Sequence, residues 1–144
     1  MTRTVLLVED SAGDVRLTQE AFRDYGMRNP LHVVSDGVEA MAFLRREGTH
    51  ADAPRPDLIL LDLNLPRMDG REVLARIKED DDLKSIPTAI LTTSEAEADI
   101  TTCYALHANC YLSKPVQLDA FERLIGSICS FWLTNAKLPV HRAV

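Results

Sequence analysis

The sequence predicts an α/β fold: a five-stranded parallel sheet with helices on both faces. Five short apolar runs, at residues 4–8, 31–35, 58–62, 88–92 and 110–113, alternate with amphipathic stretches. Alternation of that kind implies parallel strands joined by right-handed crossovers. The first, third and fourth runs are almost wholly apolar and rich in Val, Ile and Leu, as strands buried on both faces should be. At 144 residues the chain is long enough for one domain with a real core and too short for two comfortable ones.

The first strand ends in an acidic pair, Glu9-Asp10, and Ser11, Gly13 and Asp14 can begin the helix expected over 14–25. The second strand leads to a helix over 37–46, and residues 47–56, with Gly48, Pro54 and Pro56, read as a long loop. The third strand ends at Asp62, and Asp69-Gly70 makes a turn into a helix over 70–79. Glu79-Asp80-Asp81-Asp82 reads as a solvated helix end and loop. The fourth strand ends at Thr92 and is followed by a helix over 96–107. The fifth ends at Lys114-Pro115, a pair that allows a cis peptide. A last helix over 118–132 carries Leu118, Phe121, Ile125 and Ile128 into Phe131-Trp132-Leu133. Residues 1–134 are expected to form the domain, and residues 135–144, with Pro139, a loosely tied tail.

Composition narrows the function classes. Apolar content of 46% and charged content of 26% are those of an ordinary globular protein. A net charge of -6 argues against nucleic acid as a partner. The apolar stretch after Met-Thr-Arg is too short for a signal peptide, and no later run could span a bilayer, so a cytoplasmic protein is expected. Cys103, Cys110 and Cys129 are odd in number and lack Cys-x-x-Cys spacing, which suits buried thiols in a reducing compartment. No Gly-x-Gly-x-x-Gly follows the first strand, so dinucleotide binding is a poor reading.

In open sheets of this type, sites form outside the carboxyl ends of the strands, where strand order reverses. Glu9, Asp10, Asp62 and Thr92 all fall at such ends. Three converging carboxylates repel unless a cation sits among them. The ligands are hard oxygens with no histidine close in sequence, so magnesium or manganese fits better than zinc. Magnesium is commonly held by one or two carboxylates plus a phosphate, which leaves room for a phosphoryl oxygen. A divalent ion beside Asp62 makes it usable as a nucleophile, while Thr92 offers a hydroxyl and Lys114 an ammonium to the incoming group. Taken singly, each residue has a plainer reading as a cap, a strand former or a surface charge. Their joint appearance, each at its own strand end, makes coincidence a weak explanation.

Val-Glu-Asp at 8–10, Asp-Leu-Ile-Leu-Leu-Asp-Leu-Asn-Leu-Pro-x-Met-Asp-Gly at 57–70, Leu-Thr-Thr-Ser at 91–94 and Tyr-Leu-Ser-Lys-Pro at 111–115 resemble the receiver domain of two-component response regulators. The resemblance covers nearly the whole chain. It implies the flavodoxin-like strand order 2-1-3-4-5. It also implies Asp62 as phosphoacceptor, with Glu9, Asp10, Asp62 and the backbone carbonyl of Asn64 around Mg2+ or Mn2+. Thr92 then resembles the switch hydroxyl, Lys114 the phosphate-binding lysine, and Tyr111 the aromatic that swings inward on activation. Such a domain takes its phosphoryl group from a sensor histidine kinase, catalyses its own phosphorylation, and hydrolyses the product slowly. His107-Ala108 stands where many receivers have Gly-Ala, and His107 reads as a surface or helix-end cation.

The 47–56 loop, the stretch Tyr104-Ala-Leu-His-Ala-Asn-Cys-Tyr111 and the ending at Phe131 to Pro139 resemble the single-domain regulators paired with bacterial phytochrome-type histidine kinases. With no second domain to read the switched face, the output would be another protein or another copy. Adjacent helical positions cannot all face one core, so Phe131, Trp132 and Leu133 are candidates for a homodimer contact. The plainer alternative folds Trp132 back over its own last helix. An aspartyl-phosphate phosphatase would want Asp-x-Asp where this chain has Asp62-Leu63-Asn64. A phosphorylation-independent adaptor of the same fold is the remaining alternative, against which intact Asp62, Thr92 and Lys114 argue.

Overall fold

In the computed structural model, which describes residues 2–141, strands and helices alternate as the pattern requires. The strands are β1 (Val5–Val8), β2 (Leu31–Val34), β3 (Leu58–Leu61), β4 (Thr88–Thr92) and β5 (Cys110–Ser113). The helices are α1 (Ala12–Asp24), α2 (Gly37–Arg45), α3 (Gly70–Glu79), α4 (Glu97–Ala105) and α5 (Leu118–Ser130). All strands pair in parallel in the order β2-β1-β3-β4-β5. Order therefore reverses on either side of β1, which opens a crevice above the carboxyl ends of β1 and β3.

The pleat divides the core. Leu6, Val8, Ile59, Leu61 and Ile90 face one side, where Phe43 and Leu44 of α2, Leu74 and Ile77 of α3 and Cys103 of α4 cover them. Val5, Leu7, Leu58, Leu60 and Leu91 face the other, under Phe22 of α1 and Phe121, Ile125 and Ile128 of α5. All four side chains of β3 are fully buried. At about 1.5–3 kcal/mol for each such side chain, this strand is a main anchor for the residue that follows it.

Local chemistry sets the helix starts. Ser11, Asp36 and Asp69 cap α1, α2 and α3, their side chains accepting from the N–H groups of Asp14, Glu39 and Arg71. His107 is exposed with a φ of 72°, so it fills the left-handed position that ends α4, where glycine is the usual choice. The loop expected over 47–56 contains a 3-10 turn, Gly48–His50. Among the described residues there is no cis peptide, so the Lys114–Pro115 bond is trans.

The C-terminal end departs most from expectation. The helix stops at Ser130 and continues as a wider π turn over Phe131–Asn135. That change of period lets consecutive side chains turn toward one core. Trp132 and Leu133 pack against the face formed by α1 and α5, and the Trp132 carbonyl accepts from Arg3 Nη1 at 2.6 Å. Of the three candidates for a dimer contact, only Phe131 remains largely exposed, at 55%. Beyond the turn, Pro139 and His141 lie beside Pro56 and Pro87, and residues 142–144 of the expected tail lie outside the described residues.

Candidate functional site

Register brings the strand ends level. Val8 pairs with both Val34 and Leu61, and Thr92 pairs with Ser113. The ladder continues one residue past each end. Glu9 N–H donates to the Val34 carbonyl at 3.0 Å, Asp62 N–H to Val8 at 3.1 Å, and Lys114 N–H to Thr92 at 2.7 Å. Backbones pinned this way fix where the rim side chains start. One oxygen from each of Glu9, Asp10 and Asp62 lies within 4.8 Å of the others, with Glu9 and Asp62 buried and Asp10 exposed.

The Lys114 side chain reaches two of these carboxylates and is only 4% exposed. It donates to Asp62 Oδ2 at 3.0 Å, to Asp14 Oδ2 at 2.9 Å, and closely to Glu9 Oε1. Asp14 is the site residue that sequence reasoning missed, because its place in the first turn of α1 already explained it. Nothing in the sequence signals that its side chain also reaches a lysine 100 residues away.

Burial acts to raise the Asp62 carboxyl, but the hydroxyl of Thr92, the Lys114 ammonium and the Asn64 N–H outweigh it and hold it below the ordinary carboxylate value. Asp62 is therefore an ionised carboxylate with only 7% of its surface exposed. Burial pushes the Glu9 carboxyl up to about 7, against the hydrogen bond and charge of Lys114. For Lys114, burial is overcome by the hydrogen bonds to Glu9 and Asp14, and the ammonium is held above its ordinary value.

Thr92 is fully buried, and its hydroxyl is the one buried side-chain polar atom without a partner among the described residues. It acts on Asp62 as a nearby dipole outside hydrogen-bond geometry, and so keeps a free donor beside that carboxylate. Tyr111 is turned onto the core face and donates its hydroxyl to the Ser94 carbonyl at 2.9 Å, so the inward position that the resemblance assigns to the activated state is already taken up here, held by that hydrogen bond. The loop after Asp62 is held by close approach. A Cβ on Gly70 would press into the Asp62 carbonyl and lie 2.6 Å from Leu63 Cα. Asn64 N–H lies 3.4 Å from Asp62 Oδ1, so this loop also touches the carboxylate.

This rim is an all-oxygen acidic cluster, a buried lysine and an unpartnered hydroxyl around one ionised aspartate. The model of the response regulator receiver domain matches residues 5–125. The chain belongs to that family. The receiver is 50% identical over 137 residues, 95% of this chain and 93% of the relative, to response regulator Rcp1 of Synechocystis sp.. Among solved structures it resembles the Mn(2+)-bound form of Rcp1, with a TM-score of 0.92 and 49% identity over 96% of this chain and 99% of that one. It also resembles the phosphorylated cyanobacterial phytochrome response regulator RcpA, with a TM-score of 0.94 and 50% identity over 97% of this chain and all of that one. The receiver is a signalling domain rather than an enzyme acting on a separate substrate. No helix among the described residues is long and apolar enough to cross a membrane.

Proposed function

We propose that Asp62 accepts a phosphoryl group from the phosphohistidine of a sensor histidine kinase. The bond from an Asp62 oxygen to phosphorus forms as the phosphorus–nitrogen bond breaks, and the resulting acyl phosphate switches the face built from α4, β5 and α5. The observation that carries this reading is the place of Asp62 itself, a carboxylate buried at the centre of the rim with Lys114 Nζ donating to its Oδ2 at 3.0 Å. A nucleophile needs that charge and that position.

The oxygen-only donor set, closed by buried Glu9 and Asp62 and open at exposed Asp10, fits a hard divalent cation. Glu9, Asp10, Asp62 and the backbone carbonyl of Asn64 would hold Mg2+ or Mn2+. When bound, the ion supplies charge stabilisation for the transferring oxygens. Lys114 Nζ, already 3.0 Å from Asp62 Oδ2, pairs with a phosphoryl oxygen on the other side. The free Thr92 hydroxyl donates to a second phosphoryl oxygen, which draws the end of β4 toward Asp62. Tyr111 follows, since its hydroxyl is tied to the segment after Thr92. Attack of water on phosphorus later releases inorganic phosphate and restores the carboxylate.

The likeness to Rcp1 and RcpA supports a phytochrome-type kinase as the partner and light as the input. Residues 1–134 act as the receiver, in the cytoplasm, with 135–144 as an appended tail. The exposure of Phe131, at 55%, beside the apolar groove of Leu112 and Leu124 supports a homodimer contact there. The test is phosphotransfer. A labelled phytochrome-type histidine kinase should lose its label to this protein within minutes in magnesium, and not to Asp62→Asn. Partner binding that proceeds equally with Asp62→Asn, without label transfer, would replace the switch with a phosphorylation-independent adaptor.

A further inference from the structure

A second polar network joins the two loops that flank Asp62. It begins in the segment after β3, where Gly70 N–H donates to the Leu63 carbonyl, one residue past Asp62. Next to Gly70, the Asp69 carboxylate accepts from Arg71 Nη1 at 3.0 Å and 3.2 Å. The same guanidinium reaches α4, where Nε and Nη2 both donate to Asp99 Oδ1 at 3.0 Å and 2.7 Å. The other Asp99 oxygen accepts from the Ser94 hydroxyl at 2.6 Å. The Ser94 carbonyl in turn accepts from Tyr111 at 2.9 Å and from Ser113 at 3.4 Å. Ser94 stands two residues after Thr92. The chain of contacts thus leaves the site beside Asp62 and returns beside Thr92.

Nothing about the fold requires this arrangement. The sheet and both core faces are complete without it, and Arg71 and Asp99 are 31% and 21% exposed. Its members bridge 28 residues of sequence, so it does not serve helix formation within α3 or α4. What it does is fix Ser94 from two sides, by its hydroxyl and by its carbonyl. Every nitrogen of Arg71 and both oxygens of Asp99 are used, so the geometry is set rather than approximate.

We propose that Arg71 and Asp99 are positioning residues of the switch: through Ser94 they hold the 93–96 loop closed beside Thr92 and keep Tyr111 turned inward. Neither touches the phosphoryl group. They keep the 93–96 segment where Thr92 can close on that group, and a segment released from them admits water to the acyl phosphate. The consequence for phosphoryl lifetime rests on the reading of Asp62 as phosphoacceptor; the consequence for Tyr111 does not.

The experiment has two arms on the full chain. In the first, 19F spectra of the unphosphorylated protein labelled with 3-fluorotyrosine report Tyr111, assigned by Tyr111→Phe. Wild type should show a Tyr111 resonance shielded from solvent. Arg71→Ala, Asp99→Ala and the milder Ser94→Ala should each move it to the solvent-exposed position. Asp99→Asn keeps an acceptor for Ser94 and should restore an intermediate shift, which a loss of general stability would not produce. In the second arm, intact mass follows loss of the phosphoryl group after magnesium and acetyl phosphate. Arg71→Ala and Asp99→Ala should each hydrolyse about tenfold faster than wild type, and the double variant no faster than either alone. A Tyr111 resonance unmoved in all three alanine variants, or hydrolysis within twofold of wild type, overturns the proposal. A wild-type protein that takes no phosphoryl group counts against the reading of Asp62, and the fluorine arm then decides the positioning role by itself.

Discussion

Replacing Lys114 by Met keeps the aliphatic stem and removes the cation that three carboxylates share. Two of them, Glu9 and Asp62, have side chains only 3% and 8% exposed, while that of Asp14 is 30% exposed and partly solvated. Breaking a buried ionic cluster by deleting one partner costs about 3–5 kcal/mol, because the remaining charges stay desolvated and unpaired. The unfolding entropy of a chain this size, at about 2.1 cal/mol/K per residue, is near 0.3 kcal/mol/K, so Tm should fall by about 10–17 °C. Without Lys114 the Glu9 carboxyl, already raised by burial, rises further, and the Asp62 carboxyl loses the charge and hydrogen bond that help hold it down. A raised carboxyl destabilises most above its folded pKa and not at all below its unfolded one. The deficit should therefore be largest at pH 8, above the value near 7 that Glu9 has with the lysine in place, and shrink as pH falls toward 4.5. Magnesium at about a hundred times its Kd adds roughly 2.7 kcal/mol to any form that binds it only when folded, so it narrows the gap at pH 8 by as much as the variant, freed of the competing ammonium, binds the ion more tightly than wild type. Urea and thermal melts of wild type and Lys114→Met in EDTA and in magnesium, at both pH values, measure all of this. A deficit below about 1 kcal/mol at pH 8, or one that grows on acidification, would refute the argument.

Thr92→Val removes a buried hydroxyl that has no hydrogen-bond partner but whose dipole helps hold the Asp62 carboxyl down, so the two effects oppose and stability in urea melts should change by no more than about 1 kcal/mol, together with loss of the Tyr111 response to phosphorylation. Gly70→Ala presses a methyl into the Asp62 backbone and should cost about 1–3 kcal/mol in the same melts while weakening magnesium binding, because the loop carrying Asn64 must shift. Burial raises all three thiols, that of Cys129 to about 11, so native protein at pH 8 should react slowly with a thiol reagent, at half-buried Cys110 first, and fully only in denaturant.

Much of this architecture is legible because the strands are short apolar runs closed by polar residues. Asp62 and Thr92 declare themselves because an acid and a hydroxyl end runs that are otherwise buried. Lys114 is readable only in company with them, since nothing local distinguishes it from a surface lysine. Asp14 is hidden by its own adequate explanation as a first-turn acid. The Arg71, Asp99 and Ser94 network is hidden for a different reason: its members lie on three separate segments, and only tertiary packing brings them together. At the C-terminus, the inference that Phe131, Trp132 and Leu133 cannot share a core assumes α-helical spacing. The π turn removes that premise, and Trp132 and Leu133 fold inward.

The most direct measurement is the intact mass of the protein after incubation with magnesium and acetyl phosphate, beside Asp62→Asn and beside wild type in EDTA. The site geometry calls for the gain of one phosphoryl group in wild type with magnesium, and none in the variant or the chelated sample. A gain of equal size in Asp62→Asn, or no gain under any concentration of donor and magnesium, would mean that the ionised carboxylate at the centre of this rim is not the acceptor.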